Sequence, residues 1–302
     1  LVFVPDFTFF STGEIVSFRG ATPIFVDVEP QTFNMDPFKL EDAIIDTLEA
    51  GKLKPRVIIP VDLFGLPANY PAIEAIAKKY DLRILEDAAQ GFGGSINGQM
   101  ACSFGNVATT SFFPAKPLGC YGDGGAIFTN DDALADSLES YRVHGKGESK
   151  YDNVRVGVNS RLDTIQAAVL NVKLTAFISH ELDDVNRVYQ VYQTALNGLV
   201  ETPLMPEGYR SSFAQYTIRL ENKEVRDLLQ AKLKEAGIPS MIYYVKPMHK
   251  QEAFNYQAVN KNDFIVSSTL CNTVLSLPMH PYMTDDDVTK ICDRIKKSII
   301  GL

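Results

Sequence analysis

The chain has 302 residues, 45% of them hydrophobic and 22% charged, so it can bury a large core and is not expected to be disordered. The net charge of −8 at pH 7 disfavours nucleic acid as a partner, and no apolar stretch approaches the roughly 20 residues that span a membrane. The four cysteines and four histidines lack metal-ligand spacing, which predicts no metal site and reduced thiols in a cytoplasmic protein.

The first 130 residues are predicted to alternate strands and helices. The helix over residues 37–50 has Asp36 as N-cap, Pro37 at its first position and Gly51 at its end. Apolar, β-branched strands separated by amphipathic helices indicate an α/β fold with a mostly parallel sheet covered on both faces. The predicted strands are residues 1–5, 24–26, 56–61, 82–85, 107–113 and 126–129, and a further helix begins at Pro71.

The second half is predicted to be largely helical. Apolar residues at helical spacing predict a helix over 160–174, and a longer helix is expected over 179–199. Beyond the prolines and glycine of residues 203–208, the pattern predicts a small α+β unit. Its predicted elements are strands at 215–220 and 241–244, helices at 223–236 and 284–299, and one helix between them. We therefore predict a large domain over residues 1–178, then a linking helix and a small C-terminal domain over 179–302.

The start of the chain resembles the interior of a strand. Residues 1–5 are apolar and lack an initiator methionine, a signal peptide or a transit peptide. We therefore expect a segment upstream of this sequence.

Three polar residues lie at or near the carboxyl ends of predicted strands, where parallel sheets bind ligands. They are Asp87, Ser111 and Lys116. Each has a simpler interpretation: Asp87 could cap a helix, Lys116 could be a solvated surface charge, and Ser111 alone is uninformative. Together they provide an amine for an aldehyde, an acid for a pyridine nitrogen and a phosphate donor, which pyridoxal phosphate (PLP) requires. The glycines that follow, from Gly119 to Gly125, would let the chain turn tightly around such a cofactor.

Motifs along the whole chain resemble those of the DegT/DnrJ/EryC1/StrS sugar aminotransferases. These are PLP enzymes with the aspartate aminotransferase fold, called fold type I. Each motif alone is weak, but their order and spacing together are specific. The motifs are PDFTF at 5–9, EDAAQ at 86–90, TSFFPAK at 110–116, GDGGA at 122–126, RVHG at 142–145 and NSRLD at 159–163.

The resemblance implies a role for each matching residue. Lys116 resembles the lysine that forms the Schiff base, and Asp87 resembles the acid that pairs with the pyridinium nitrogen. Gln90 resembles the partner of the ring hydroxyl, and Ser111 resembles a phosphate ligand. Phe9 corresponds to an aromatic ring stacked on the pyridine.

Further residues of the resemblance concern the second subunit and the substrate. Asn159 resembles a phosphate ligand donated by the other subunit, which implies a homodimer with shared active sites. His249 and Tyr244 lie in a region that resembles the substrate loop, and Arg161 is a further candidate for substrate binding.

Simpler interpretations remain open for several of these residues. Phe9 could belong to the core, and His249 could be structural. Asn159 could cap the following helix, and Arg161 could hold that helix to an acidic neighbour. The family also carries an upstream Ser-Gly-Thr segment that helps bind the phosphate, and it is absent from this sequence.

The resemblance implies amino transfer from glutamate to a keto group of a nucleotide-linked sugar. The run over residues 112–125 looks most like members that act on UDP-linked 3-keto sugars, among them a 2-acetamido-3-keto-hexuronic acid used for surface polysaccharide such as lipopolysaccharide. A 4-keto-sugar aminotransferase is the nearest alternative. A PLP-dependent sugar 3-dehydratase would carry histidine in place of Lys116, and a non-catalytic regulatory homologue would not need both Asp87 and Lys116.

Overall fold

A computed structural model describes residues 1–149, 151–255 and 263–300. Strands and helices alternate through its first half, as the sequence predicts. The strands are β1 (Val2–Pro5), β2 (Pro23–Val26), β3 (Val57–Ile58), β4 (Arg83–Asp87), β5 (Ser95–Ile96), β6 (Gln99–Met100), β7 (Val107–Ser111), β8 (Gly125–Phe128), β9 (Tyr209–Arg210), β10 (Tyr216–Arg219) and β11 (Val274–Leu277). The helices are α1 (Ser11–Phe18), α2 (Pro37–Ala50), α3 (Tyr70–Lys79), α4 (Asp132–Arg142), α5 (Thr164–Ala176), α6 (Leu182–Leu196), α7 (Lys223–Glu235), α8 (Ile265–Thr273) and α9 (Asp285–Ile300).

The main sheet has the strand order β2-β1-β3-β4-β7-β8. All neighbouring pairs are parallel except β7 and β8, which run antiparallel. The predicted α/β fold with a mostly parallel sheet is therefore confirmed. Parallel strands carry their carboxyl ends to one edge of the sheet, so the loops after β1, β3, β4 and β7 meet there.

Helix α2 shows why the local predictions succeed. The carboxylate of Asp36 accepts hydrogen bonds from the backbone N–H groups of Phe38 and Lys39, and Gly51 ends the helix at a φ of 62°. A left-handed residue at this position is inexpensive only for glycine. The apolar side of the helix, with Leu40 and Ile44 fully buried, packs with sheet residues in one core cluster.

Residues 164–196 form one continuous helical segment, contrary to the two separate helices that the sequence predicts. A π-helical turn, Phe177–Glu181, joins α5 directly to α6. The predicted break is absent because residues 177–181 contain no proline or glycine that would end a helix. The predicted domain boundary at residue 178 falls inside this turn, and the domain division stays a prediction.

The C-terminal part is α+β, as predicted. Strands β10 and β11 pair antiparallel, and helices α6, α7 and α9 contribute to the same core cluster. The predicted strand over 241–244 is wrong, because only Met241 forms a bridge, to Ser276. The sequence analysis missed β11 and the small sheet with order β6-β5-β9, whose strands are only two residues long.

All four cysteines are free and buried. In the described part of the chain, no helix has both the length and the apolar character needed to cross a bilayer.

Candidate active site

Asp87 is the last residue of β4, at the edge of the sheet where the strand ends converge. Its backbone N–H donates to the carbonyl of Pro60 at 2.9 Å, and its carbonyl accepts from the N–H of Asp62 at 3.0 Å. The residue pairs with Thr109 of β7 on the other side. Asp87 is therefore held between two neighbouring strands. No helix starts after it, so the helix-cap interpretation is wrong.

Two donors orient the carboxylate of Asp87. The Thr12 hydroxyl donates to Oδ2 at 3.0 Å, and the N–H of Ala89 donates to Oδ1 at 3.2 Å. Burial raises the pKa of Asp87, whereas these two hydrogen bonds and the Lys116 ammonium oppose the rise. The carboxyl is thus fixed in direction and interacts electrostatically with Lys116.

Lys116 lies in the loop after β7 and is partly buried. Its backbone N–H donates to the Phe113 carbonyl at 2.9 Å, which folds the loop back on itself. Its ammonium forms no hydrogen bond or ion pair with any described residue. Burial lowers the pKa of Lys116, and Asp87 opposes that shift. A partly buried amine without a partner among the described residues is what a ligand with an aldehyde would require.

Glycines let the loop after Lys116 pack closely against its neighbours. A Cβ on Gly119 would lie 2.6 Å from the Pro114 carbonyl oxygen, and one on Gly125 would lie 2.7 Å from that of Thr110. The need for glycine here comes from close approach, since neither residue has a positive φ. From α5, the side chain of Gln166 accepts a hydrogen bond from the Tyr121 N–H at 2.8 Å and anchors the loop.

Ser111 lies five residues before Lys116, and Gln90 lies three residues after Asp87. The Ser111 hydroxyl oxygen accepts from the N–H of Phe113 at 3.2 Å, which leaves its proton available to an anion. The side chain of Gln90 is buried, accepts from the N–H of Phe64 at 2.6 Å and donates to the Tyr244 hydroxyl at 3.2 Å. Gln90 therefore joins the sheet edge to the segment that contains Tyr244.

Phe9 lies in the loop after β1 and is 57% exposed, so the interpretation of this ring as core is wrong. Its ring centroid is 6.3 Å from that of Tyr244. Thr12, at the start of α1, was missed by the sequence analysis, as was α1 itself. Thr12 lies seven residues after the end of β1, and this position could have identified it as a site residue, because the loop after β1 must pass the carboxyl edge of the sheet.

His249 is tied to the buried carboxylate of Asp6. The His249 Nδ1 lies 2.7 Å from Oδ2 of Asp6, and its backbone N–H donates to Oδ1 at 2.8 Å. Its ring stacks on Phe264 at 4.4 Å. Burial raises the pKa of Asp6, and the His249 contacts oppose the rise. These contacts support a structural role for His249, and substrate binding by this residue stays a prediction.

Asn159 and Arg161 are exposed and precede α5. The Nε of Arg161 donates to the Asn159 side-chain oxygen at 3.1 Å. Helix α5 begins at Thr164 with Asp163 at its N-cap position, so Asn159 does not cap it. Arg161 has no acidic partner among the described residues. Neither residue contacts Asp87 or Lys116 within this chain.

A large cavity of about 1420 Å³ lies beside β8 and α4. Of the predicted site residues, only Arg161 lines it in the described part of the chain. It is therefore separate from the site built around Asp87 and Lys116.

The residues around Asp87 fit PLP. The Asp87 carboxylate, held by two hydrogen-bond donors, could pair with the ring nitrogen. The Lys116 amine, which has no partner among the described residues, could bind the aldehyde. Ser111 offers a hydroxyl proton, and the exposed ring of Phe9 leaves a face free for stacking. Among the described residues, no three histidine, cysteine, aspartate or glutamate side chains are grouped so that they could hold a metal ion.

Known proteins resemble this chain over nearly its whole length. A model of the DegT/DnrJ/EryC1/StrS aminotransferase family matches residues 1–296. The chain is 45% identical over 292 residues to the UDP-2-acetamido-2-deoxy-3-oxo-D-glucuronate aminotransferase of Pseudomonas aeruginosa, with 96% of this chain and 77% of that one covered. It is 40% identical over 301 residues to a UDP-N-acetyl-3-dehydro-alpha-D-glucosamine 3-aminotransferase of Acidithiobacillus ferrooxidans, covering 99% and 78%. The crystal structure of a family aminotransferase from Brucella abortus superposes with a TM-score of 0.95 at 53% identity, covering 98% and 78%.

Proposed function

Since the chain belongs to the DegT/DnrJ/EryC1/StrS aminotransferase family, we propose that it transfers an amino group to a keto group of a nucleotide-linked sugar. The observation that carries this proposal is the placement of the fixed Asp87 carboxylate and the unpartnered Lys116 amine at adjoining strand ends. An amine and an acid arranged in this way match the two functional ends of PLP.

The substrate we propose is a UDP-linked 3-keto sugar, of which a 2-acetamido-3-keto-hexuronic acid is one form. Two relatives at 45% and 40% identity carry names that specify UDP-linked 3-oxo or 3-dehydro sugars. Lys116 also weighs against a sugar 3-dehydratase, which would have histidine at this position. A product of this kind would serve surface polysaccharide synthesis.

The cofactor would be held by side chains at or just beyond the ends of three strands, β1, β4 and β7. Lys116 would bind its aldehyde, Asp87 its ring nitrogen, Gln90 its ring hydroxyl and Ser111 its phosphate. Phe9 would stack on the ring. PLP, when bound, supplies an electron-accepting ring that lowers the barrier to moving a proton and an amino group.

Lys116 and Asp87 divide the proton chemistry between them. The carboxylate of Asp87, held by Thr12 and Ala89, would favour the protonated form of the cofactor's ring nitrogen. The lowered pKa of Lys116 increases the neutral fraction of its amine, which can then accept a proton from a substrate carbon and return it. Tyr244 and His249 would lie on the sugar side of the site.

Glutamate is the proposed amino donor, and the active form is a homodimer. Two side chains of α5 support an interface, because Ile165 and Val172 are 75% and 74% exposed and lie seven residues apart on one face. Asn159 and Arg161 precede that helix and are exposed as well. A second subunit on this face would place Asn159 at the neighbouring active site.

The experiment is an assay with glutamate and a panel of UDP- and dTDP-linked 3-keto and 4-keto sugars. We expect 2-oxoglutarate and an amino sugar with the UDP-linked 3-keto substrates. A Lys116→Ala variant should lose at least about 100-fold in rate, because it lacks the general base. Lys39→Ala, which removes an exposed lysine of α2, is the matched control and should keep the wild-type rate.

Product from only the 4-keto sugars would overturn the substrate assignment. Absence of a visible absorbance band on adding PLP, or a band that survives in Lys116→Ala, would overturn the assignment of Lys116 as the cofactor's amine.

A further inference from the structure

Two carboxyl groups are completely buried behind the site. Asp62 follows β3, Glu86 is the residue before Asp87, and both are 0% exposed. Glu86 points to the opposite face of β4 from Asp87, because neighbouring residues of a strand alternate. Their carboxyl groups are within hydrogen-bonding reach of each other. We call Asp62 and Glu86 the acid pair.

No described cation neutralises the acid pair, since neither residue forms a salt bridge in the described part of the chain. Two carboxylates this close and this buried cannot both remain charged without a large electrostatic penalty. One of the two must therefore carry a proton in the folded protein.

The hydrogen bonds identify which oxygen carries it. Both oxygens of Glu86 are engaged, by the N–H of Cys102 at 2.6 Å and by the N–H of Phe104 at 2.8 Å. Asp62 Oδ1 accepts from the N–H of Ala68 at 3.0 Å and from the Tyr70 hydroxyl at 2.8 Å. Asp62 Oδ2 is buried and has no partner among the described residues. A hydroxyl proton on this oxygen would give it one.

Oδ2 of Asp62 also packs directly on the segment of residues 87–91, which contains Asp87 and Gln90. A Cβ on Gly91 would lie 2.3 Å from Asp62 Oδ2, so the carboxyl fills the space beside the residue that follows Gln90. The backbone N–H of Asp62 donates to the carbonyl of Asp87 at 3.0 Å. The acid pair is thus connected to both ends of the segment from Asp87 to Gly91.

We propose that Asp62 keeps a proton on Oδ2 at neutral pH and donates it to Glu86, and that this acid pair acts as a positioning element for Asp87 and Gln90. The proposal extends the proposed function, because it assigns a supporting role behind the cofactor site. Four further titratable groups interact electrostatically with the acid pair, from α3, β4, the loop before β7, and β9. They are Tyr70, Asp87, Cys102 and Tyr209.

The electrostatics agree with this assignment. Burial and then the neighbouring Glu86 charge raise the pKa of Asp62 well above its usual value. Burial raises the pKa of Glu86 to about 7, while the N–H groups of Cys102 and Phe104 oppose the rise. The contact between the two carboxyl groups also raises the pKa of Asp62 and lowers that of Glu86, as expected if Asp62 donates the hydrogen bond.

Infrared spectroscopy of the protein without added cofactor tests the proposal directly. The wild type at pH 8 should show the C=O stretching band of a protonated carboxyl group. Asp62→Asn should lose this band and still fold, since the amide keeps an acceptor for Ala68 and Tyr70 and supplies an N–H donor to Glu86. Asp46→Asn, an exposed acid of α2, should retain the band.

Unfolding as a function of pH gives the second readout. A raised pKa in the folded state stabilises the fold at acid pH, and this stabilisation is lost as the pH rises. The melting temperature of Asp62→Asn should therefore gain several °C on the wild type between about pH 5 and pH 9. The wild-type affinity for PLP should decline more steeply over this range than that of Asp62→Asn.

Three results would overturn the proposal. One is a wild type without the carboxyl band at pH 8, which needs no variant to be folded. Another is an Asp62→Asn protein with the pH profile of the wild type. The third is a folded Glu86→Gln that loses the band while Asp62→Asn keeps it, which would place the proton on Glu86. If PLP fails to bind but the band is present, the proposed function fails and the proton assignment stands.

Discussion

Lys116 combines two demands that conflict in a folded protein. Its ammonium is partly buried and has no partner among the described residues, so burial lowers its pKa and favours the neutral amine. A neutral amine suits a role as base or nucleophile, but the charged form is unfavourable in the fold at neutral pH. In its proposed role, the residue therefore reduces stability in exchange for reactivity, as active-site groups often do.

Replacing Lys116 by methionine should reveal this cost. We expect Lys116→Met to lose activity and to melt about 2 °C higher than the wild type at pH 7. The penalty is fully present below the lowered folded-state pKa. It disappears as the pH rises towards the ordinary lysine pKa of about 10.5, because both states are then neutral. Calorimetry from pH 7 to pH 10 measures the difference.

Lys39→Met provides the control for this experiment, since Lys39 is exposed on α2. Its melting temperature should follow that of the wild type at every pH. A gain in Lys116→Met that stays constant up to pH 10 would show that packing, rather than charge, is responsible.

The π-helical turn between α5 and α6 is an element that matters for the site. Its first residue, Phe177, packs against Gly93, three residues after Gln90. Gly93 has a φ of +96°, and a Cβ there would lie 2.5 Å from the ring of Phe177. The long helical segment at Phe177 and the loop after β4 at Gly93 can approach each other only because Gly93 has no side chain.

Gly93→Ala should therefore be strongly destabilising. Left-handed strain of about 1–2 kcal/mol adds to overpacking of about 1–3 kcal/mol, for a total of about 2–5 kcal/mol. Gly98→Ala is matched in backbone conformation, with a φ of +84°, but its Cβ would meet no atom within 4 Å. It should lose only the strain. Urea unfolding of both variants tests this, and equal losses would contradict the steric argument.

Elements with strong local signals were predictable from the sequence, and those set by tertiary contacts were not. Helix α2 carries a cap, a first-turn proline and a terminal glycine, so its bounds followed directly. The strand predicted over 241–244 has apolar residues but no partner strand along its length, and only Met241 pairs. The continuous helix through Phe177 was missed, although its turn contains no proline or glycine that would end a helix.

The site residues also divide into those with a local sequence signal and those set by tertiary contacts. The placement of Asp87 and Lys116 near the ends of neighbouring strands was predictable, because each lies at or just beyond a predicted strand in motifs whose order is specific. Thr12 was not, because its contact with Asp87 joins residues 75 positions apart. The proposed protonated acid pair was also missed, since burial and the absence of a cationic partner among the described residues are properties of the packed molecule.

At the scale of the whole molecule, part of the exposed apolar surface lies on and beside α5. Tyr121, Ile165 and Val172 are each at least 74% exposed, and the first is linked to α5 through Gln166. Leaving such a group in water is unfavourable, and covering it with a second copy of the chain would remove that cost. The exposed Asn159 and Arg161 border the same helix.

This arrangement predicts that charge on α5 breaks the dimer. Ile165→Asp should raise the dimer dissociation constant by roughly 30-fold or more, because a buried unpaired carboxylate costs at least about 2 kcal/mol at an interface. Light scattering should then show the mass of one chain at micromolar protein. Activity should fall with the dimer if Asn159 serves the neighbouring site, as proposed. Phe38→Asp alters a side chain that is 81% exposed on α2, away from α5, and should leave the mass unchanged. A dimer that persists in Ile165→Asp, or an active monomer, would mean that α5 is not the shared face and that each chain completes its own site.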